Sequence, residues 1–139
     1  MAAKKTKETI NWTFEGKEVL SLADAPLNAL GFIYIITNHT KKMTYIGRKS
    51  MLKPLKKGKK REEYPWKTYT GSSVALNTDI KNGDKYSKEI LRWCFTKAEL
   101  TYYETQNIMC TDSLLDEKSY NFWCKALIYS KHLISAKKD

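Results

Sequence analysis

Residues 31–47 read Gly31-Phe32-Ile33-Tyr34-Ile35-Ile36-Thr37-Asn38-His39-Thr40-Lys41-Lys42-Met43-Thr44-Tyr45-Ile46-Gly47, and the reading of this stretch decides the fold. After Gly31 the run to Thr37 is β-branched or aromatic at every position, which is the pattern of a strand covered on both faces. Asn38-His39-Thr40-Lys41 supply turn residues, and Met43 to Gly47 resume strand character, so an antiparallel hairpin is predicted over residues 32–47. A loop of residues 38–41 pairs Thr37 with Lys42, and stepping outward sets Tyr34 opposite Tyr45. Directly opposed side chains point to the same face with Cβ atoms about 5 Å apart. Two phenols are therefore expected to meet, which by itself is an ordinary aromatic cross-strand pair.

Beyond Gly47 come Arg48 and Lys49, then a basic run of Lys53, Lys56, Lys57, Lys59, Lys60 and Arg61 interrupted by Pro54 and Gly58. The two breakers argue for a loop, and the run leads into Tyr64, Trp66, Lys67 and Tyr69. Cations interleaved with aromatics suit phosphate and base contacts. Lys53, Lys56, Lys57, Lys59, Lys60, Arg61, Trp66 and Lys67 form the expected nucleic-acid surface. Ser72-Ser73 can cap a helix through Asn82, with Leu76 and Ile80 on one face and Gly83 at the left-handed C-terminal position.

Tyr86 to Phe95 reads as a further strand, with Leu91, Trp93 and Phe95 on one face and Ile90, Arg92 and Cys94 on the other. Thr96-Lys97-Ala98-Glu99 is a capping box that opens a helix. Its apolar stripe of Leu100, Tyr103 and Ile108 includes Glu104 by position. A carboxylate on a core-facing stripe is unfavourable without a cation, so Glu104 is expected to face Lys or Arg, to escape to the helix edge, or to hold a metal ion. Residues 111–119 read as loop, Tyr120-Asn121 follows, and Phe122 to Ile134 reads as a short closing helix before a basic tail.

Among the 139 residues, 25 are Lys or Arg and 15 are Asp or Glu, a formal net charge of +10, and 42% are hydrophobic. This length suits one domain with enough apolar content to order it. Surplus positive charge attracts polyanions, which makes nucleic acid the expected partner class. An acidic membrane surface would call for a Lys-rich helix with a clean apolar face, and none is evident. No apolar run approaches the roughly 20 residues of a membrane span. Lys7, Glu8, Asn11 and Glu15 interrupt any secretory apolar region, so a cytoplasmic location is expected. Cys94, Cys110 and Cys124, even with His39 and His132, match no zinc spacing and read as small buried hydrophobes. Residues 1–30 read as an N-terminal arm with a loop at Ala25-Pro26-Leu27.

Taken together, Gly31-Phe32-Ile33-Tyr34, the step to Tyr45-Ile46-Gly47, the basic segment, the helix with Glu104 and Tyr120-Asn121 resemble the GIY-YIG nuclease family. Residues 72–91 also resemble the middle of the catalytic domain of phage homing endonucleases. What the resemblance implies is an α+β fold, a small three-stranded antiparallel sheet flanked by helices, in a domain of residues 31–125 between the arm and a basic tail at 126–139. It implies an endonuclease hydrolysing phosphodiesters of double-stranded DNA with a divalent ion, Mg²⁺ or Mn²⁺, encoded by a phage or mobile element. By the same correspondence Tyr34 and Tyr45 border the scissile phosphate, Glu104 holds the metal, and Asn121 bridges loops to fix the site.

A tyrosine with a pKa of about 10 is a poor base at neutral pH unless nearby cations stabilise the phenolate, and Arg48 and Lys49 are the adjacent candidates. Where the family carries its catalytic arginine, on a helix after the second motif tyrosine, this chain has Leu55. Arg48 and Arg61 are the alternatives, with Arg48 preferred. Tyr64 and Tyr69 are the counterparts of a further family His or Tyr, and Tyr69 is preferred because it leads into Gly71-Ser72-Ser73. His39 reads as a solvated turn residue. One active site cuts one strand, so a double-strand break needs a homodimer or successive nicks. The competing reading is a non-catalytic DNA-binding module on the same scaffold, against which the intact Tyr34, Tyr45 and Glu104 weigh.

Overall fold

The computed structural model describes residues 10–124. The hairpin forms as β3 (Gly31–Asn38) and β4 (Met43–Ser50), with a register two residues from the predicted one. Asn38 pairs with Met43, residues 39–42 make the turn, and Tyr34 stands opposite Gly47 rather than Tyr45. The cause is Asn38, which stays in the strand because its side chain is buried and fully used. Its amide donates to Asp84 Oδ2 and to the Tyr120 hydroxyl, both at 2.9 Å, and its Oδ1 accepts from the Lys41 N–H at 3.0 Å. Side chains alternate with a period of two, so a two-residue slip keeps every face. Tyr34 and Tyr45 therefore still meet, diagonally, with ring centroids 6.1 Å apart.

β5 (Tyr86–Cys94) pairs antiparallel with the other side of β3. The ladder shifts between Ile33, which faces Arg92, and Tyr34, which faces Ile90, leaving Leu91 as the extra residue of a bulge. That residue reverses the alternation. Ile90 and Trp93 pack on the Tyr34 side and Cys94 on the opposite side, so the predicted grouping of Ile90 with Arg92 and Cys94 does not hold.

The sheet has five strands, not three, in the order β2-β1-β5-β3-β4. The added strands, β1 (Trp12–Phe14) and β2 (Lys17–Val19), come from the segment read as an arm. Glu15 and Gly16, at φ 50° and 82°, make the two-residue connection whose left-handed conformation matches the twist of the strands. β1 runs parallel to β5 with Trp12 beside Lys88. The Trp12 ring is fully buried, with centroids 4.9 Å from Phe32 and 5.1 Å from Tyr34. The architecture is thus α+β with a mixed rather than purely antiparallel sheet.

α1 (Val74–Lys81) starts at Ser73, whose Oγ accepts from the Leu76 N–H at 3.2 Å. α2 (Lys97–Cys110) starts at Thr96, whose hydroxyl accepts from the Glu99 N–H at 3.1 Å while the Glu99 carboxylate reaches back to the Phe95 N–H at 3.0 Å. Leu76 joins the cluster of Phe32, Tyr34, Ile36 and Trp66 on one sheet face; Leu100 and Ile108 pack with Ile33, Ile46 and Cys94 on the other. Among the described residues no helix is long and apolar enough to cross a membrane. Residues 122–124 carry no regular structure, and the rest of the predicted closing helix and basic tail lies outside the described residues.

Candidate active site

β4 is the outermost strand on its side of the sheet, and its free edge organises the site. The Thr44 N–H donates to the Lys118 carbonyl at 2.9 Å, and the Tyr120 N–H donates to the Thr44 carbonyl at 2.8 Å, which lays residues 118–121 along that edge. Asn121 then continues the ladder with its side chain. Its Oδ1 accepts from the Ile46 N–H and its Nδ2 donates to the Ile46 carbonyl, each at 2.8 Å. A primary amide has the same donor–acceptor spacing as a backbone peptide, so it can cap a strand edge that the chain itself leaves open.

Gly47 makes room for the first phenol, since a Cβ there would lie 2.4 Å from the Tyr34 hydroxyl oxygen. Tyr34 is 1% exposed, and Tyr69 stands edge-on to it with centroids 6.1 Å apart. The Tyr45 hydroxyl is 2.9 Å from Ser72 Oγ. Burial, then the neighbouring phenols of Tyr69 and Tyr45, raises the Tyr34 pKa well above the ordinary phenol value. Burial also raises Tyr45, with the Ser72 hydrogen bond opposing it. Both rings are therefore neutral at neutral pH rather than phenolates. Lys49, one of the two cations expected to assist them, is engaged elsewhere. Lys49 Nζ lies over the rings of Tyr69 (4.4 Å) and Tyr64 (5.0 Å).

Thr101 and Glu104 sit one turn apart on α2, and both meet Arg48. The guanidinium donates to Thr101 Oγ1, and its Nε lies 3.9 Å from Glu104 Oε1. The Glu104 side chain is 20% exposed, and burial raises its carboxyl pKa while the Arg48 charge pulls it partly back. At that separation the guanidinium offsets the desolvation of the carboxylate only in part. Glu104, Arg48, Tyr34, Tyr45, Tyr69, Ser72 and Asn121 line one cavity of about 720 Å³, with Val74, Phe122 and Trp123 exposed at its rim.

Other predicted residues fall outside this cavity. The Arg61 Nε donates to the Lys53 carbonyl at 3.0 Å, and the side chain lines a separate hollow with Tyr64 and Phe95. Of the two candidate arginines, only Arg48 lies beside Glu104. Trp66, expected on a base-contacting surface, is instead fully buried with its ring edge-on to Phe32 at 6.0 Å. It is unavailable for stacking on a base. Lys56, Lys57, Lys59, Lys60 and Lys67 are exposed, and Lys53 pairs with Glu62 at 3.2 Å. His39 is exposed, with Nε2 2.8 Å from Ser87 Oγ. Sequence reading passed over Ser72 as a partner of Tyr45, Thr101, Trp12 and Lys88. Thr101 was signalled by its place one turn before Glu104, and Lys88 by its place two residues before Ile90.

Among the described residues no group of three or more His, Cys, Asp or Glu could hold a metal ion. A hard ion such as Mg²⁺ nevertheless needs few protein ligands, because it keeps several waters and takes phosphate oxygens from its substrate. The partly neutralised carboxylate of Glu104, facing an open cavity, fits an ion completed in that way.

A hairpin that carries two buried or half-buried phenols and a guanidinium, with a helix that brings a carboxylate to the same cavity, makes an α+β domain whose site has the chemistry of a nuclease. Residues 12–127 match the family model described as "Putative endonuclease segE, GIY-YIG domain", and the chain belongs to the GIY-YIG nuclease family. No curated protein and no solved structure matches the chain. The family match begins at Trp12 and so takes in β1 and β2. Membership implies an endonuclease with DNA as its substrate.

Proposed function

We propose that this chain is a divalent-metal-dependent DNA endonuclease, borne by a phage or mobile element, that hydrolyses phosphodiester bonds in double-stranded DNA. The observation that supports this most is the convergence of Tyr34, Tyr45, Arg48, Tyr69, Glu104 and Asn121 on one cavity. Glu104 would hold Mg²⁺ or Mn²⁺, which when bound supplies Lewis-acid stabilisation of charge on the phosphate and the leaving oxygen. Arg48 turns from Thr101 and Glu104 to the phosphate, where its planar donors match two oxygens.

Tyr34, held neutral by burial, donates a hydrogen bond to the phosphate. Tyr45 is the more exposed phenol and, steadied by Ser72, orients the attacking water. In the reaction the water oxygen bonds to phosphorus and one ester P–O bond breaks. One proton passes from the water to solvent, and the released sugar oxygen takes up another. Asn121 holds the β4 edge, and Tyr69 walls the cavity beside Tyr34. Lys53, Lys56, Lys57, Lys59, Lys60, Arg61 and Lys67 bind the DNA backbone beyond the cavity.

The test is nicking of supercoiled plasmid in Mg²⁺ or Mn²⁺, with EDTA and Glu104→Gln as controls. Nicking that EDTA abolishes and that Glu104→Gln lowers by about 100-fold or more is the expected result. Undiminished nicking in EDTA or by the variant removes the metal role. Salt-sensitive retardation of DNA without cutting would instead make the chain a binding module.

A further inference from the structure

Lys88 sits in the middle of β5 and is 2% exposed, yet none of the ion pairs among the described residues includes it. Its ammonium is nonetheless fully used. Nζ donates to the Lys67 carbonyl at 2.9 Å and the Tyr69 carbonyl at 3.0 Å, and lies 4.3 Å from the centroid of the Trp12 ring. Three N–H groups thus find two carbonyls and one π face. Trp12 is the register partner of Lys88 across the β1–β5 pair, and its own indole N–H donates to the Trp66 carbonyl at 2.8 Å. Two adjacent side chains on the sheet therefore take three carbonyls of one connecting segment: Trp66, Lys67 and Tyr69.

That segment has no helix or strand to hold it. It delivers Tyr69 against Tyr34 and then runs through Gly71 to Ser72, the partner of Tyr45. A Cβ on Gly71 would lie 3.2 Å from the Tyr34 hydroxyl and 3.1 Å from the Tyr45 ring, so the segment's backbone rests against both phenols. Desolvation pulls its pKa down to about 8, so burial of the charge offsets part of what its contacts contribute, and a methionine of similar length would fill the space but leave both carbonyls without this donor.

We propose that Lys88 is a positioning residue: with Trp12 it clamps residues 66–69 so that Tyr69 and Ser72 hold the Tyr34 and Tyr45 hydroxyls where a phosphate can meet them. This rests on the nuclease reading and deepens it. In the full chain, Lys88→Met keeps the packing and removes the clamp. Its melting temperature is expected to stay within about 3 °C of the wild type, because the lost hydrogen bonds and the relieved burial of a charge oppose each other, and its DNA affinity in EDTA to be unchanged. Its cleavage rate at saturating DNA falls roughly 10- to 100-fold, and amide hydrogen exchange across residues 67–72 speeds up. Trp12→Phe, which keeps a ring but loses the indole donor, moves rate and exchange in the same direction by less, and serves if Lys88→Met does not fold.

A wild-type cleavage rate in Lys88→Met overturns the proposal, as does a loss of rate matched by a melting temperature lowered beyond that range, which would mark a purely structural lysine. Should the wild type fail to cut DNA at all, the nuclease reading falls. The exchange comparison then still decides the clamp, since unchanged protection at residues 67–72 would refute it and faster exchange would uphold it.

Discussion

Glu104 brings a carboxylate into a cavity where the nearest cation among the described residues, Arg48, stands 3.9 Å away. Burial raises its pKa and Arg48 opposes that rise, so its titration should have a definite sign. By ¹³C NMR the Glu104 carboxyl carbon should titrate above the ordinary glutamate value of about 4.3, and higher still in Arg48→Met. A midpoint at or below the ordinary value would mean that the carboxylate is already well neutralised. For a carboxyl whose folded pKa exceeds its unfolded one, the folded state binds more protons between the two values. This group's contribution to stability therefore falls as pH rises through that window. Tyr34 carries a second expectation at the same scale. As a neutral donor to the phosphate, its replacement by Phe should lower cleavage about 10- to 100-fold while leaving DNA affinity within about twofold, by nicking rate and gel retardation. An unchanged rate would reject that role.

At the scale of elements, the edge of β4 decides whether the cavity has a wall. Asn121 supplies both bonds that Ile46 would otherwise lack, at 2.8 Å each, so Asn121→Ala should lower stability by about 1–3 kcal/mol in urea denaturation. A change near zero would show that water replaces the amide. The hairpin, the Ser73 cap and the Thr96–Glu99 box were legible in the sequence because each is a local signal: β-branched runs, or a hydroxyl three residues before an amide it can accept from. The register was not, because it turns on Asn38 bonding Asp84 and Tyr120, residues remote in the chain. Nor was the bulge at Leu91, since alternation assumes one residue per pleat. β1 and β2 are three residues each, too short for periodicity, and only the Glu15-Gly16 turn hints at them. Among site residues, those tied to the two-tyrosine spacing and to the α2 stripe could be named in advance. Trp66 was misassigned because an aromatic next to cations reads the same whether its ring is buried or exposed, and Lys88 escaped notice because a lysine in a strand ordinarily faces solvent.

For the molecule as a whole, a charge of +10 matters through where it is displayed. Leu52 and Glu63 form an isolated antiparallel bridge, with the Lys53 N–H donating to the Glu62 carbonyl at 2.8 Å, and together these close the base of the basic loop. Lys56, Lys57 and Lys59 are exposed at its tip, and no ion pair among the described residues involves them. Their charges are thus free to replace counterions on a polyanion, a contribution that is independent of base sequence and sensitive to salt. Reversing all three to Glu should weaken binding to unrelated duplexes alike, and should reduce the slope of log affinity against log salt concentration by roughly three or more. Because the loop tip contributes nothing to either apolar cluster, the melting temperature should stay within about 2 °C of wild type. Because none of the three lines the cavity, the nicking rate at saturating DNA should be retained. If affinity and salt slope are both unchanged, the backbone is gripped elsewhere and the loop is only a solvated face; if the saturated rate collapses while binding holds, the loop reaches the reacting phosphate.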